Sequence, residues 1–184
     1  DLSADISILS GDIGVVGDPS DNCYAVVNAN GRNGGGGFLD GFVVEGLARI
    51  SDPATLPGFK KDFQREGNTD VQLAYNFAIA LLGDRAFIDS IVLNLSASGR
   101  RGERMRDYLV ELGPSFTEDL YPYLGDQDAG VRAALADVLA EFGDPAAIDR
   151  LTPLLNDPNS EVADSANRAI QRLQRVARAT SLDQ

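Results

Sequence analysis

A turn recurs along this chain at an almost constant spacing, and that recurrence limits the fold more than any other feature. The turns are Asp52-Pro53, Gly83-Asp84, Gly113-Pro114 and Gly143-Asp144-Pro145. The steps are 32 (Asp52 to Asp84), 30 (Gly83 to Gly113) and 31 (Pro114 to Pro145). Chance apolar periodicity does not stay in phase along most of a chain, so the spacing marks an internal repeat.

Each turn separates two helical patterns. Val131, Leu135, Val138, Leu139 and Phe142 fall at i, i+4, i+7, i+8 and i+11, one apolar stripe on a helix. Gly143 suits the positive φ of a helix stop, Asp144 can cap the next helix, and Pro145 fits its first position. Ile148, Leu151, Leu154 and Leu155 form a second stripe, residues 156–160 make a turn, and Val162 restarts the first pattern one such step after Val131. Leu120-Tyr121-Pro122-Tyr123-Leu124-Gly125-Asp126 matches Leu151-Thr152-Pro153-Leu154-Leu155-Asn156-Asp157 position for position. Val71 stands at the same offset before Asp84 as Val131 before Asp144. A hairpin this short cannot bury both stripes alone and needs neighbours stacked on it.

Three phrases resemble the HEAT-like repeat, in the short bacterial form also found in phycobilisome lyases. They are Ala129-Gly130-Val131-Arg132-Ala133-Ala134-Leu135, Glu141-Phe142-Gly143-Asp144-Pro145-Ala146-Ala147-Ile148 and Leu155-Asn156-Asp157-Pro158-Asn159-Ser160-Glu161-Val162. The resemblance covers about residues 47–178 and is specific for fold rather than activity. It implies a mainly α protein, an α–α superhelix of about four helical hairpins plus a capping helix. The third unit departs, because Arg100-Arg101-Gly102-Glu103 stands where a valine–arginine pair is expected.

The helices follow in order. Residues 53–66 bury Leu56, Phe59 and Phe63; residues 69–82 bury Val71, Leu73, Phe77 and Leu81; residues 85–96 bury Phe87, Ile88, Ile91 and Leu95. Met105, Tyr108, Leu109 and Leu112 stripe the next helix, and Phe116, Leu120, Tyr123 and Leu124 its partner. Pro122 and Pro153, late in equivalent helices, bend the last turn. Residues 160–178 form the capping helix on Val162, Ala166, Ala169, Ile170, Leu173 and Ala177, and residues 180–184 fray.

Residues 1–37 differ in texture from the repeat domain at 38–184. More than half of the 19 glycines lie before residue 47, among Asn, Asp and short β-type runs such as Tyr24-Ala25-Val26-Val27. This predicts a short β-rich or irregular segment. Leu9-Ser10-Gly11-Asp12-Ile13-Gly14, residues 18–27 and Leu39-Asp40-Gly41-Phe42-Val43-Val44-Glu45-Gly46 together resemble part of an extracellular parallel β-helix. That resemblance implies a strand with Leu39, Phe42 and Val44 inward, and a secreted or periplasmic location. The rival is a helix through Phe38, Phe42, Val43, Gly46, Leu47 and Ile50; repeat logic favours it for at least Gly46–Ile50, since the next helix needs a partner. The glycine run at 31–37 lacks the Gly-Lys-Ser/Thr of a phosphate loop and reads as a surface loop.

Composition narrows the function. The formal net charge of −12 disfavours a phosphate backbone as partner. There is no histidine, which excludes serine–histidine and cysteine–histidine catalysis and histidine-bound metal within this chain. Cys23 is the single cysteine, so no intrachain disulfide forms. No run is apolar and long enough to span a bilayer. A start at Asp1 without a signal sequence suggests a processed or truncated product. Asp126-Gln127-Asp128-Ala129-Gly130 lacks the closing ligands of a calcium loop and reads as a turn with an N-cap. Asn94-Leu95-Ser96 fits a glycosylation acceptor only by coincidence, on a packed helix. No catalytic, cofactor or metal residues are expected.

The expected function is non-enzymatic protein–protein interaction or structural scaffolding. Two alternatives are a phycobilin-lyase-like or tetrapyrrole-handling protein, and a repeat appendage of a larger secreted β-helix protein. Partner-binding candidates are cations and one aromatic on exposed helix faces. Lys60, Lys61 and Arg65 face away from the second helix's stripe; the resemblance places such helices on a concave face. Tyr121 and Arg150 lie along an exposed side one repeat apart. Arg168, Arg172, Arg175 and Arg178 at i, i+4, i+7 and i+10 make a basic ridge on the last helix, which docks an acidic partner or keeps the cap soluble. Arg100, Arg101, Arg104 and Arg106 form the densest basic cluster, which meets an acidic partner or anion or else pairs with acidic residues of neighbouring repeats.

Overall fold

The computed structural model describes residues 36–182. Within them lie nine α-helices and no strand: α1 (Gly36–Ile50), α2 (Leu56–Phe63), α3 (Thr69–Leu81), α4 (Ile88–Val92), α5 (Arg100–Leu112), α6 (Thr117–Leu120), α7 (Ala129–Phe142), α8 (Ala147–Leu151) and α9 (Ser160–Leu182). Odd-numbered helices open each hairpin and the shorter even-numbered ones close it. Short 3-10 turns precede α2, α4 and α6 and follow α6 and α8. The fold is therefore a mainly α, HEAT-like array of four hairpins and a final helix.

The turns fold as their local chemistry dictates. Asp52, Asp84 and Asp144 each accept a hydrogen bond from the amide two residues on, at Ala54, Ala86 and Ala146. Gly83, Gly113 and Gly143 take positive φ at the helix stops. Asn68, Asp128 and Asn159 cap α3, α7 and α9 by accepting from their first-turn amides. Asp128 in turn donates its amide to Asp126 Oδ1 at 2.8 Å, so the acidic pair shapes a turn. Pro122 and Pro153 lack the amide that an α-helical bond needs, and the chain tightens into 3-10 geometry over Tyr121–Gly125 and Thr152–Asn156.

Two cores divide the molecule, and α3 stands between them. Leu73, Phe77 and Ala80 belong to the larger core that runs on to Leu173, while Val71, Ala74, Ala78, Ile79 and Leu82 pack with Val44, Ala48 and Phe59. Most of α3 is buried from Val71 onward, as a helix apolar on all sides must be. Its alanines let α1 lie along it. The one buried amide there, Asn76, donates to Gln72 O at 3.0 Å.

The strand reading of residues 39–46 is overturned, because they form the middle of α1. Val44 and Ala48 are buried against α3, while Phe42 is 63% exposed rather than inward. Burial of the α3 face on its outer side outweighs local β-propensity. The β-type runs at 6–10 and 24–27, the glycine run before residue 36 and Cys23 lie outside the described residues. Within α2, Phe59 alone is fully buried, with Leu56 and Phe63 packed at its edge. α9 extends to Leu182, beyond the end expected at 178.

The irregular third unit has a steric cause. A Cβ on Gly102 would lie 2.2 Å from Ala97 O and 2.9 Å from Leu95 O, so the preceding loop crosses α5 where only glycine fits. Gly99, at φ +66°, replaces the side-chain cap found at the start of α3, α7 and α9.

Candidate functional site

Successive repeats are joined by side chains on both faces of the array. Among the closing helices, Lys60 Nζ meets Asp84 Oδ2 at 2.5 Å and lies 5.8 Å from the centre of the Phe87 ring. That lysine is the main cause of a lowered Asp84 pKa. One repeat on, Arg85 binds Asp119 and Ser115 O and covers the Phe116 ring at 4.2 Å. Arg150 covers Tyr121 at 5.1 Å, and burial, then Glu118 and Asp144, raises the Tyr121 pKa. Tyr123 donates to Asp89, and burial and that bond raise its pKa.

The opening helices carry a second set. Glu45 on α1 is 8% exposed and accepts from Tyr108 Oη at 2.5 Å and Arg104 Nε at 2.8 Å, both on α5. Arg49 makes two 2.6 Å bonds to Glu111. These bonds pass over α3, where Phe77 is covered by Tyr108 and Arg49. The Tyr108 pKa is raised by burial and by its bond to Glu45. Arg101 pairs with Asp70 at 2.8 Å, and Arg106 with Glu141 at 2.8 Å. The pairing of this arginine cluster with neighbouring repeats therefore holds for Arg101 and Arg106, while Arg104 reaches two repeats back to Glu45.

Two concavities open on this face. A cleft of about 750 Å³ lies between α1, α3 and α5, with Leu73 and Met105 beneath and Phe42 at the rim. Its Arg101 and Arg104 are held by Asp70 and Glu45. The second is a groove of about 300 Å³ between α5, α7 and α9, lined by Arg106, Asp137, Arg168, Gln171, Arg172 and Arg175. Asp137 sits 3.8 Å from Arg106 and 4.0 Å from Arg168. Its pKa is raised, because burial outweighs both arginines.

The sequence-derived candidates thus separate. Arg168, Arg172 and Arg175 come together in the groove, while Arg178 lies further along α9, exposed. Lys60, Tyr121 and Arg150 are engaged within the array. Lys61 and Arg65 are exposed. Sequence reasoning missed Arg106 and Asp137 as members of the groove. The signal was present: Arg106, Asp137 and Arg168 occupy one repeat position at steps of 31. No group of His, Cys, Asp or Glu suited to hold a metal occurs among the described residues. No described helix is long and apolar enough to cross a membrane.

This geometry defines the class as a HEAT-like helical-repeat array. Residues 113–183, from the Gly113-Pro114 turn through α9, match the family model for HEAT repeats. HEAT repeats commonly mediate protein interactions. No curated protein matches the chain.

Proposed function

We propose that this chain is a non-enzymatic protein-interaction scaffold. The observation that carries the reading is the inter-repeat bonding on both faces. Arg85 to Asp119 on one side, and Arg101 to Asp70 and Arg106 to Glu141 on the other, hold surface side chains of successive repeats in fixed register. A surface ordered before contact loses less side-chain freedom on binding, which favours recognition of a folded or extended protein partner. The repeat geometry spreads that surface over many helices, and the basic groove beside α9 is its strongest local feature.

Photo-crosslinking residues placed singly at Lys61, Arg150 and Arg172 of the full chain test this in cells of the source organism. A discrete protein adduct from at least one position is expected. If all three give only the background seen with an unrelated helical protein, the interaction reading fails.

A further inference from the structure

We propose that the groove between α5, α7 and α9 binds a carboxylate-rich segment of a partner protein; this rests on the interaction reading and specifies its chemistry. The sign of charge is reversed there. Arg106, Arg168, Arg172 and Arg175 gather around Asp137, with Glu141 bonded to Arg106 and Glu161 close to Asp137, so that among these described residues four cations stand against three carboxylates on a chain of net charge −12.

The cations are unequally satisfied. Arg106 and Arg168 share Asp137, and Arg106 also holds Glu141. Among the described residues, no carboxylate lies within 4.0 Å of Arg172 or Arg175. Among the described residues, Arg175 donates only to Gln171 O of its own helix, at 3.3 Å. Two guanidinium forks are therefore open at the groove, and a carboxylate matches their planar geometry.

The repeat supplies an independent argument. Arg106, Asp137 and Arg168 run positive, negative, positive through three equivalent positions, and Glu141 and Arg172 run negative, positive through two, all at steps of 31. The first row pairs with the opposite sign on the next helix, Arg106 with Asp137 and Asp137 with Arg168, whereas in the second row Glu141 pairs with Arg106 and leaves Arg172 unmatched among the described residues. The arginine side of α9 is complementary to acid, and a partner's carboxylates match it as an acidic helix would. A nucleic acid fits less well, because its continuous phosphates extend past this short patch into an acidic field.

Fluorescence anisotropy with the full chain and a labelled hexaglutamate peptide tests the proposal, with hexaglutamine and a thymidine hexanucleotide as competing probes. The Arg172→Ala/Arg175→Ala variant loses the same charge as Lys61→Ala/Arg65→Ala, and all four side chains are exposed. Equal helical circular dichroism will verify that both variants fold. Hexaglutamate should bind the wild type and lose about tenfold or more in affinity in the Arg172/Arg175 variant, against about twofold or less in the Lys61/Arg65 variant. Absent binding, equal losses in the two variants, equal binding of hexaglutamine, or tighter binding of the oligonucleotide would each overturn it. So would self-association of the chain that the Arg172/Arg175 variant abolishes, since the occupant would then be a second copy. A crosslinked partner retained undiminished by that variant would remove the groove proposal and leave the interaction reading standing.

Discussion

Phe77 and Tyr108 stack face to face, their ring centres 4.3 Å apart and their planes 13° from parallel. They occupy the same repeat position on α3 and α5, one repeat apart. Tyr108 then reaches past α3 to bond Glu45 on α1. One ring thereby joins three consecutive opening helices.

That junction sets the first prediction. Glu45→Ala leaves the half-buried Arg104 and the Tyr108 hydroxyl without their shared acceptor. A loss of about 2–4 kcal/mol is expected, lowering Tm by roughly 4–16 °C. Tyr108→Phe removes one of the donors and should cost about 1–2 kcal/mol. Thermal and urea unfolding measure both, and a Glu45→Ala variant as stable as the wild type would show that the junction does not hold the array.

Gly102 and Gly58 make a paired test. Alanine at Gly102 drives a Cβ into two backbone carbonyls, whereas alanine at Gly58 meets nothing within 4 Å. Gly102→Ala should destabilise by about 1–3 kcal/mol, and Gly58→Ala should stabilise by up to about 1 kcal/mol. Urea midpoints will order the three proteins, with Gly102→Ala lowest.

Arg132 controls part of the acid response. It binds Asp157 through Nε at 2.9 Å and Nη2 at 2.8 Å, and donates to Asp126 O at 2.7 Å, so one side chain clamps two successive turns. That bond, then the Asn159 amide, lowers the Asp157 pKa from 3.8. The Asp128 pKa is lowered as well, first by Ser96 and then by the Gly130 amide. On acidification the unfolded chain takes up these protons first, so the stability they supply is present above 3.8 and is lost as pH falls through the lower folded values. Arg132→Gln should flatten this acid limb in urea midpoints measured against pH.

Asp137 carries the opposite sign. Burial raises its pKa above 3.8, so the folded chain holds this proton more tightly and the contribution is lost as pH rises through the raised value. Asp137→Asn should leave stability at neutral pH equal or higher. The same change removes the central anion of the groove, so affinity for hexaglutamate should rise; a fall would mean that Asp137 positions Arg106 and Arg168 rather than competing for them.

Most of the architecture was legible in the order of residues. The capping residues Asp84, Asp128, Asp144 and Asn159 act through bonds to amides two residues away, and Gly143 acts through its own φ. Such local chemistry is written in adjacent letters. The fixed period extends the reach further, because residues one repeat apart lie side by side, as Asp70 does with Arg101 and Phe77 with Tyr108. The α1 segment misled one reading because its β-branched residues and glycines favour a strand locally, while the uncovered face of α3 required a helix.

By itself, then, the sequence determined the hairpins, their caps and the same-position contacts, since each depends on neighbouring residues or on a constant step. Tertiary structure alone decided what breaks the step. Glu45 meets Arg104 and Tyr108 off the period, because α1 and α5 meet across α3. It also decided which arginines remain open, since Arg106 and Arg168 converge on one half-buried Asp137 while Arg172 and Arg175 face solvent at the groove. Composition along a helix records charge but not which opposite charge another helix brings within reach.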